Sequence, residues 1–330
     1  METMKKETDD QEILISVIIP HYNSVKTLLK AAASAKVNNC VEVIVVDDKS
    51  DLSPEEFEKL ETYFAGRGVT FLHNATDKKG AGVCRNIGLD HARGEWLLFV
   101  DSDDYLRRGW YETVLPCTSA DADIVYFPPT SRNLSTGGAS TRHVMYKELV
   151  EQYLKNGSSK NETELKYGFC TPWSKLFRRS LPVKHQIRFD ETIVSNDIMF
   201  VTKCAYYAEK ISADPHVIYC VTRMGATLTS KKSEENFWVR IDVLADRYQF
   251  LKQNLTAQEF KNTHIGQYVF GQAAVVIENG WGMAGLKKLL RVYRENGMKM
   301  TKAGLWDLRS FLRKAKMLLL WFSDIRKSKS

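Results

Sequence analysis

The chain has 330 residues, 44% of them hydrophobic, and carries 47 basic against 40 acidic side chains for a net charge of +7. That is enough apolar sequence for a sizeable core, while no run of about 18 apolar residues occurs to form a membrane-spanning helix. Six cysteines, scattered without a Cys-x-x-Cys pair, exclude a disulfide framework or a thiolate zinc site and read as reduced core residues.

In chain order, residues 1–12 are charged and lack an apolar segment, which predicts a disordered tail and not a signal peptide. Residues 15–19 read as a strand ending in Pro20-His21-Tyr22-Asn23. A helical pattern spans 25–36. The β-branched run 42–46 is too short for a helix and reads as a buried parallel strand, ending in Asp47-Asp48-Lys49-Ser50. Ser53 and Pro54 supply the N-cap and first-turn proline of a helix over 54–64, and a third helical pattern covers 81–91. A strand at 96–99 then delivers Asp101, Asp103 and Asp104. Alternating strands and helices predict a doubly wound parallel sheet, which binds ligands beyond the carboxyl ends of its strands. All three polar clusters fall there. Three carboxylates within four positions suit a hard cation, Mg²⁺ or Mn²⁺, that completes its shell with phosphate oxygens. The same run also reads as an acidic turn after a strand, held by local side-chain bonds.

The succession Ser16-Val17-Ile18-Ile19-Pro20-His21-Tyr22-Asn23, Val45-Val46-Asp47-Asp48-Lys49-Ser50, Arg85-Asn86-Ile87-Gly88-Leu89, and Gly94-Glu95-Trp96 leading into Asp101-Ser102-Asp103-Asp104 resembles the ordered motifs of family 2 glycosyltransferases, of the kind that build bacterial surface polysaccharides. The resemblance implies the GT-A fold: a Rossmann-like, mostly parallel sheet flanked by helices, here with a helical C-terminal extension. It implies nucleotide contacts from Pro20, Tyr22, Asn23 and Asp48, with Asp47 equally readable as a turn residue. Arg85 fits a phosphate or nucleotide contact, since its guanidinium makes forked bonds to oxyanions. Asp103 and Asp104 are implied as contacts of the cation and of the sugar-ribose end of the donor, with Asp101 as a third metal ligand.

Beyond residue 165, Trp173-Ser174-Lys175-Leu176-Phe177-Arg178-Arg179 and Asn196-Asp197-Ile198-Met199-Phe200 resemble the family's second half, where an acidic pair before an apolar helix supplies the catalytic base. The pair is Asn-Asp here, so the base is assigned to Asp197. Asn196 also reads as the N-cap of that helix, whose terminus would lower the pKa of Asp197. Trp173 resembles an aromatic that stacks on an acceptor sugar, or a core residue. Lys175 and Arg178 face the donor diphosphate or are solvated. The stretches 131–141 and 156–161 read as loops, and 210–219 as the last strand of the catalytic domain.

Helices are predicted at 234–253, 257–279 and 286–296, interrupted at Gly280, Gly285 and Gly297. The expected division is a catalytic domain over 13–230 (a nucleotide-sugar half 13–130 and an acceptor half 131–230) and a helical region over 231–330. The basic excess belongs to the tail: residues 281–330 carry +10 and the rest −3. Aromatics interleaved with Lys and Arg over 301–330 suit a membrane interface, or equally a terminal helix docked on protein, including a second subunit. Nucleic acid is not expected as a partner. The implied function is inverting, metal-dependent transfer of a sugar from a nucleotide diphosphate, a UDP-sugar favoured, to a hydroxyl of a lipid-linked or growing glycan, in the cytoplasm or at the inner face of its membrane. A catalytically inactive glycan-binding or scaffold protein of the same fold is the alternative.

Overall fold

The structure is a computed structural model that describes residues 12–36, 38–223, 233–265 and 269–298. The chain divides into two compact units, Met1–Thr227 and Leu228–Ser330.

The first unit opens with β1 (Ile15–His21), α1 (Val25–Ala35), β2 (Val41–Asp47), α2 (Pro54–Ala65), β3 (Val69–His73), α3 (Ala81–His91) and β4 (Trp96–Phe99). Strands β1, β2 and β4 are buried along their whole length. Their near-continuous apolar sequence is what a parallel strand covered on both faces requires. Ser53 accepts from the Glu56 backbone N–H while Glu56 reaches back, so a full capping box with Pro54 starts α2. Then follow β5 (Tyr105–Leu106), α4 (Trp110–Thr118), β6 (Ile124–Tyr126), β7 (Thr130–Asn133), α5 (Val144–Lys155), α6 (Ser159–Gly168), β8 (Lys175–Arg178), α7 (Ser180–Lys184), α8 (Ile198–Tyr207), β9 (Ile211–Ala213) and β10 (Tyr219–Arg223).

The main sheet has the order β3-β2-β1-β4-β8-β6-β9. Pairs among β3, β2, β1 and β4 are parallel, and β8 runs antiparallel to both β4 and β6. The expected mostly parallel, helix-flanked sheet is therefore present, and the antiparallel β8 sits between its two halves. A small second sheet, β5-β10-β7, takes up the chain directly after the acidic loop.

Some elements differ from expectation. β3 has no clear sequence signal, because Val69–His73 is half open to solvent and mixes polar with apolar positions. The expected loop at 131–141 begins as β7, which gains its register from β10 far along the chain. The single strand expected at 210–219 is two, with β9 in the main sheet and β10 in the small one. All six cysteines are free thiols.

The second unit contains α9 (Glu234–Asn254), α10 (Ala257–Asn262), α11 (Val269–Glu278) and α12 (Gly282–Glu295). Its core gathers Phe237, Trp238, Ile241, Tyr248, Val276, Leu289 and Tyr293. The continuous helix expected at 257–279 is two; α10 stops at Asn262, and His264 follows at φ 53. Gly285 does not interrupt a helix but lies inside α12. A Cβ there would stand 2.8 Å from Val276 Cγ1, so its glycine serves close approach to α11. No helix among the described residues is long and apolar enough to cross a membrane. The basic segment 301–330 lies outside the described residues.

Candidate active site

The carboxyl end of β4 leads into the acidic loop. One oxygen from each of Asp101, Asp103 and Asp104 lies within 4.8 Å of the others. Three hard donors this close repel one another when ionised and fit a divalent cation such as Mg²⁺ or Mn²⁺. Asp103 reaches solvent, yet the protein packed around it and then the Asp101 carboxylate push it up to about 6. Burial, followed by the charges of Asp103 and Asp101, holds Asp104 well above the carboxylate range. A bound cation would reverse these shifts.

Asp104 differs from its neighbours in being only 3% exposed. Its Oδ2 accepts from the Tyr219 hydroxyl at 2.8 Å and its Oδ1 from the Thr222 backbone N–H at 2.6 Å. Expected as a primary ligand, it lies at the back of the cluster with both oxygens already bonded to protein. Tyr219 and Thr222 escaped sequence reading because 115 and 118 residues separate them from Asp104.

Beside this loop, β1 and β2 end in a second polar group. Asp47 is structural: it accepts from His21 Nδ1 at 2.9 Å, Ser50 Oγ at 2.6 Å and Ser50 N at 3.0 Å. Asp48 accepts from Asn74 Nδ2 and Gly80 N, both at 2.8 Å, which turns it toward the loop entering α3. Pro20 is buried within β1, so its contribution is to the shape of the strand end. Tyr22 is exposed and donates to Asp51 at 3.2 Å; Asn23, at φ 52, donates to the same carboxylate at 2.9 Å. Lys79 Nζ sits 4.4 Å from the Tyr22 ring centre. Asp51, Asn74 and Lys79 thus join the residues named from sequence.

Helix α3 binds the segment that precedes α8. Arg85 is buried and donates to Asp101 Oδ1 at 2.6 Å and to Asn196 Oδ1 at 2.9 Å. The guanidinium expected to meet phosphate is engaged within the protein, bridging the acidic loop and the residue before the candidate base. At the next residue of α3, Asn86 pairs with both backbone groups of Phe189, and Arg188 forks onto Asp90. Gly82 permits this contact: a Cβ there would fall 2.0 Å from Asp190 O and 2.8 Å from Asn196 Cβ.

Asn196 is not the helix cap. Asp197 occupies that position, with no side-chain capping bond, while Asn196 also donates to Thr192 O at 3.2 Å. The pKa of Asp197 moves opposite to the helix-end expectation. Burial raises it, Arg85 lowers it less, and Asp101 adds to the rise.

Three other expected contacts lie elsewhere. Trp173 is 2% exposed and stacks on Tyr219 with 5.3 Å between ring centres, with Tyr146 and Phe169 at its edges; it offers no free face to a sugar. Lys175 is neither solvated nor turned to a diphosphate. It is fully buried, donates to Phe169 O and Thr171 O, and desolvation holds its pKa well below that of a free lysine. Arg178 pairs with Glu95 and with the carbonyls of Ala120 and Ala122.

Comparison with known proteins finds relatives in sequence and in fold. EpsH of Bacillus subtilis, which carries a glycosyltransferase name, is 23% identical over 299 residues, 86% of this chain and 82% of EpsH. The poly(ribitol-phosphate) beta-N-acetylglucosaminyltransferase TarS of Staphylococcus aureus is 28% identical over 76% of this chain, which spans only 44% of TarS. The crystal structure of TarS residues 1–349 with UDP-GlcNAc superposes with a TM-score of 0.56 at 20% identity, covering 86% of this chain and 92% of that one. A Pyrobaculum calidifontis mannosyltransferase bound to GDP-Man and Mn²⁺ gives 0.53 at 15%, over 93% and 87%. At these identities the structural likeness establishes the GT-A fold. The family model described as glycosyl transferase family 2 matches residues 16–182, half of the chain and all of the acidic loop, and the chain belongs to that family.

Proposed function

We propose that this chain is an inverting, metal-dependent glycosyltransferase that moves a hexosyl or N-acetylhexosaminyl unit from a nucleotide diphosphate to a hydroxyl of a growing or lipid-linked bacterial surface glycan. The observation that carries the reading is the convergence of the Asp101-Asp103-Asp104 cluster and the Asp197 segment on one guanidinium, Arg85. A uridine donor is favoured by the likeness to TarS, which is described with UDP and UDP-GlcNAc.

In this reading, Tyr22, Asn23 and Asp48 receive the base and ribose, and Asp103 with Asp101 holds the cation. When bound, Mg²⁺ or Mn²⁺ supplies Lewis-acid stabilisation to the departing diphosphate. Asp197 takes the proton of the attacking hydroxyl, and its raised pKa makes it a stronger base than a surface aspartate. Arg85 holds Asn196 and hence the register of the base, while balancing the charge of Asp101. Contact with a membrane at its cytoplasmic face through residues 301–330 belongs to the proposal on the strength of the sequence pattern alone.

Calorimetric titration of UDP, GDP and CMP into the full chain, with and without Mn²⁺, tests the donor side. Mn²⁺-dependent binding of UDP alone supports the uridine reading. Selective GDP binding keeps the class and moves the donor, and a folded chain that binds none of them counts against the enzyme.

A further inference from the structure

The acidic loop is closed from behind by a strand far along the chain, and one hydroxyl spans it. Tyr219 Oη accepts from the Asp101 backbone N–H at 3.1 Å and donates to Asp104 Oδ2 at 2.8 Å. A single phenol therefore ties the first residue of the loop to the last. Two residues on, Thr222 donates its backbone N–H to Asp104 Oδ1 at 2.6 Å and its hydroxyl to the Asp103 carbonyl. Every residue of the cluster is thereby touched by β10.

The fold makes the crossbar rigid. The chain leaving Asp104 passes at once into β5, which pairs antiparallel with β10 in the register Tyr219↔Leu106 and Cys220↔Tyr105. On its other side the Tyr219 ring lies flat against Trp173, 10° from parallel. Tyr219 is fully buried, so its hydroxyl faces no competing water. A carboxylate with a hydrogen bond from protein on each oxygen and almost no exposed surface is a poor place for a cation that keeps part of its water shell. Asp103, at the front of the loop, has the open surface that such an ion needs.

We infer that Tyr219 is the positioning residue of the cation site, that Asp104 is its anchor within the protein, and that Asp103 with Asp101 makes the primary coordination. This rests on the metal-dependent reading above and adds to it which residue builds the site and which acid the ion does not need. The hydrogen bonds present one loop conformation to the ion, as outer partners of metal ligands do, and losing such a partner typically weakens metal affinity about 10–100-fold.

The test is Mn²⁺ binding to the full chain in the presence of UDP, followed by electron paramagnetic resonance of the free ion, with transfer measured separately against Mn²⁺ concentration. Tyr219→Phe keeps the ring on Trp173 and removes only the hydroxyl; it is expected to weaken Mn²⁺ about 10–100-fold, with transfer recovering toward the parent rate as Mn²⁺ is raised. Asp104→Asn, which keeps an acceptor for Thr222, is expected to stay within about tenfold of the parent in Mn²⁺ affinity, whereas Asp103→Asn loses binding by more than about 100-fold. Unchanged Mn²⁺ affinity in folded Tyr219→Phe, or Asp104→Asn as severe as Asp103→Asn, overturns the assignment while leaving metal dependence intact. A parent chain that binds UDP but no Mn²⁺ overturns the metal-dependent reading itself, and this inference with it.

Discussion

Arg85 and Asn196, 111 residues apart, meet through a 2.9 Å hydrogen bond beneath the candidate site. The other arm of the same guanidinium holds Asp101 at 2.6 Å. One side chain on α3 thus ties the loop that would hold the cation to the segment that would carry the base, and the neutral amide at 196 lets it serve both without a second buried carboxylate competing for it.

Replacing Arg85 by Ala leaves Asp101 without its cation and Asn196 without its donor. Arg85 is buried but the Asp101 side chain is 29% exposed and can take up water, so losing these hydrogen bonds costs about 1–3 kcal/mol. We expect a loss of that order in chemical denaturation, with Arg85→Lys intermediate because an ammonium cannot reach both acceptors in the fork geometry. Equal stability of Arg85→Ala and the parent would refute the bridge.

Asp197→Asn should leave nucleotide binding intact and lower kcat by about 10²–10⁴-fold, the usual contribution of a general base. The base works only when deprotonated, and burial raises its pKa. The acid limb of the pH–rate profile should therefore lie above the ordinary aspartate range, with activity lost as pH falls through it. Asn196→Asp adds a like charge next to the base and should move that limb further up, whereas a limb that stays put would argue against Asp197 as the titrating group.

Gly82→Ala tests the close approach of α3 to the base segment. The new methyl would meet Asp190 O at 2.0 Å, and backbone there has to shift. Overpacking of this kind costs about 1–3 kcal/mol. A displacement of about 1 Å in catalytic geometry can cost about 10²-fold in rate. Activity should therefore fall far more than the melting temperature does; full kcat in the variant would show that the segment tolerates displacement.

At the opposite end of the sheet, Glu42 gives a pH signature of folding. Burial alone would raise its pKa, but hydrogen bonds from the Ser16 hydroxyl, the Arg93 backbone and the Arg93 side chain prevail and hold it below the ordinary 4.5. A depressed carboxylate stabilises the fold at pH values above its unfolded pKa, and that contribution disappears as pH falls through the folded value. Urea unfolding of Glu42→Gln should show lower stability than the parent at pH 7 and a smaller loss on acidification toward pH ~3. Parallel pH curves for the two proteins would rule the contribution out.

Much of the nucleotide half was legible in one dimension. Strands buried on both faces are nearly continuous in apolar residues, so 15–19, 42–46 and 96–99 are legible despite Ser16 and Glu42, which satisfy each other by a hydrogen bond, and capping chemistry at Ser53 and Pro54 marks α2. The polar residues at the strand ends were equally plain, because a parallel sheet leaves its carboxyl ends open to ligand. These signals are local: each is written within a few residues of the element it specifies.

What tertiary structure decided is which of these side chains remain free. Trp173 and Lys175 looked available for substrate, and only the packing of Tyr219, Phe169 and Tyr126 around them shows them to be core. Arg85 looked like a phosphate ligand until Asp101 and Asn196 claimed it. Asp104 is read as a ligand from its neighbours in sequence and as an anchor from its neighbours in space. A side chain's residue type fixes what bonds it can form; its partners in space, from six residues away for Lys175 and Phe169 to 115 for Asp104 and Tyr219, fix which of those bonds are already made, and residue type alone does not carry that information.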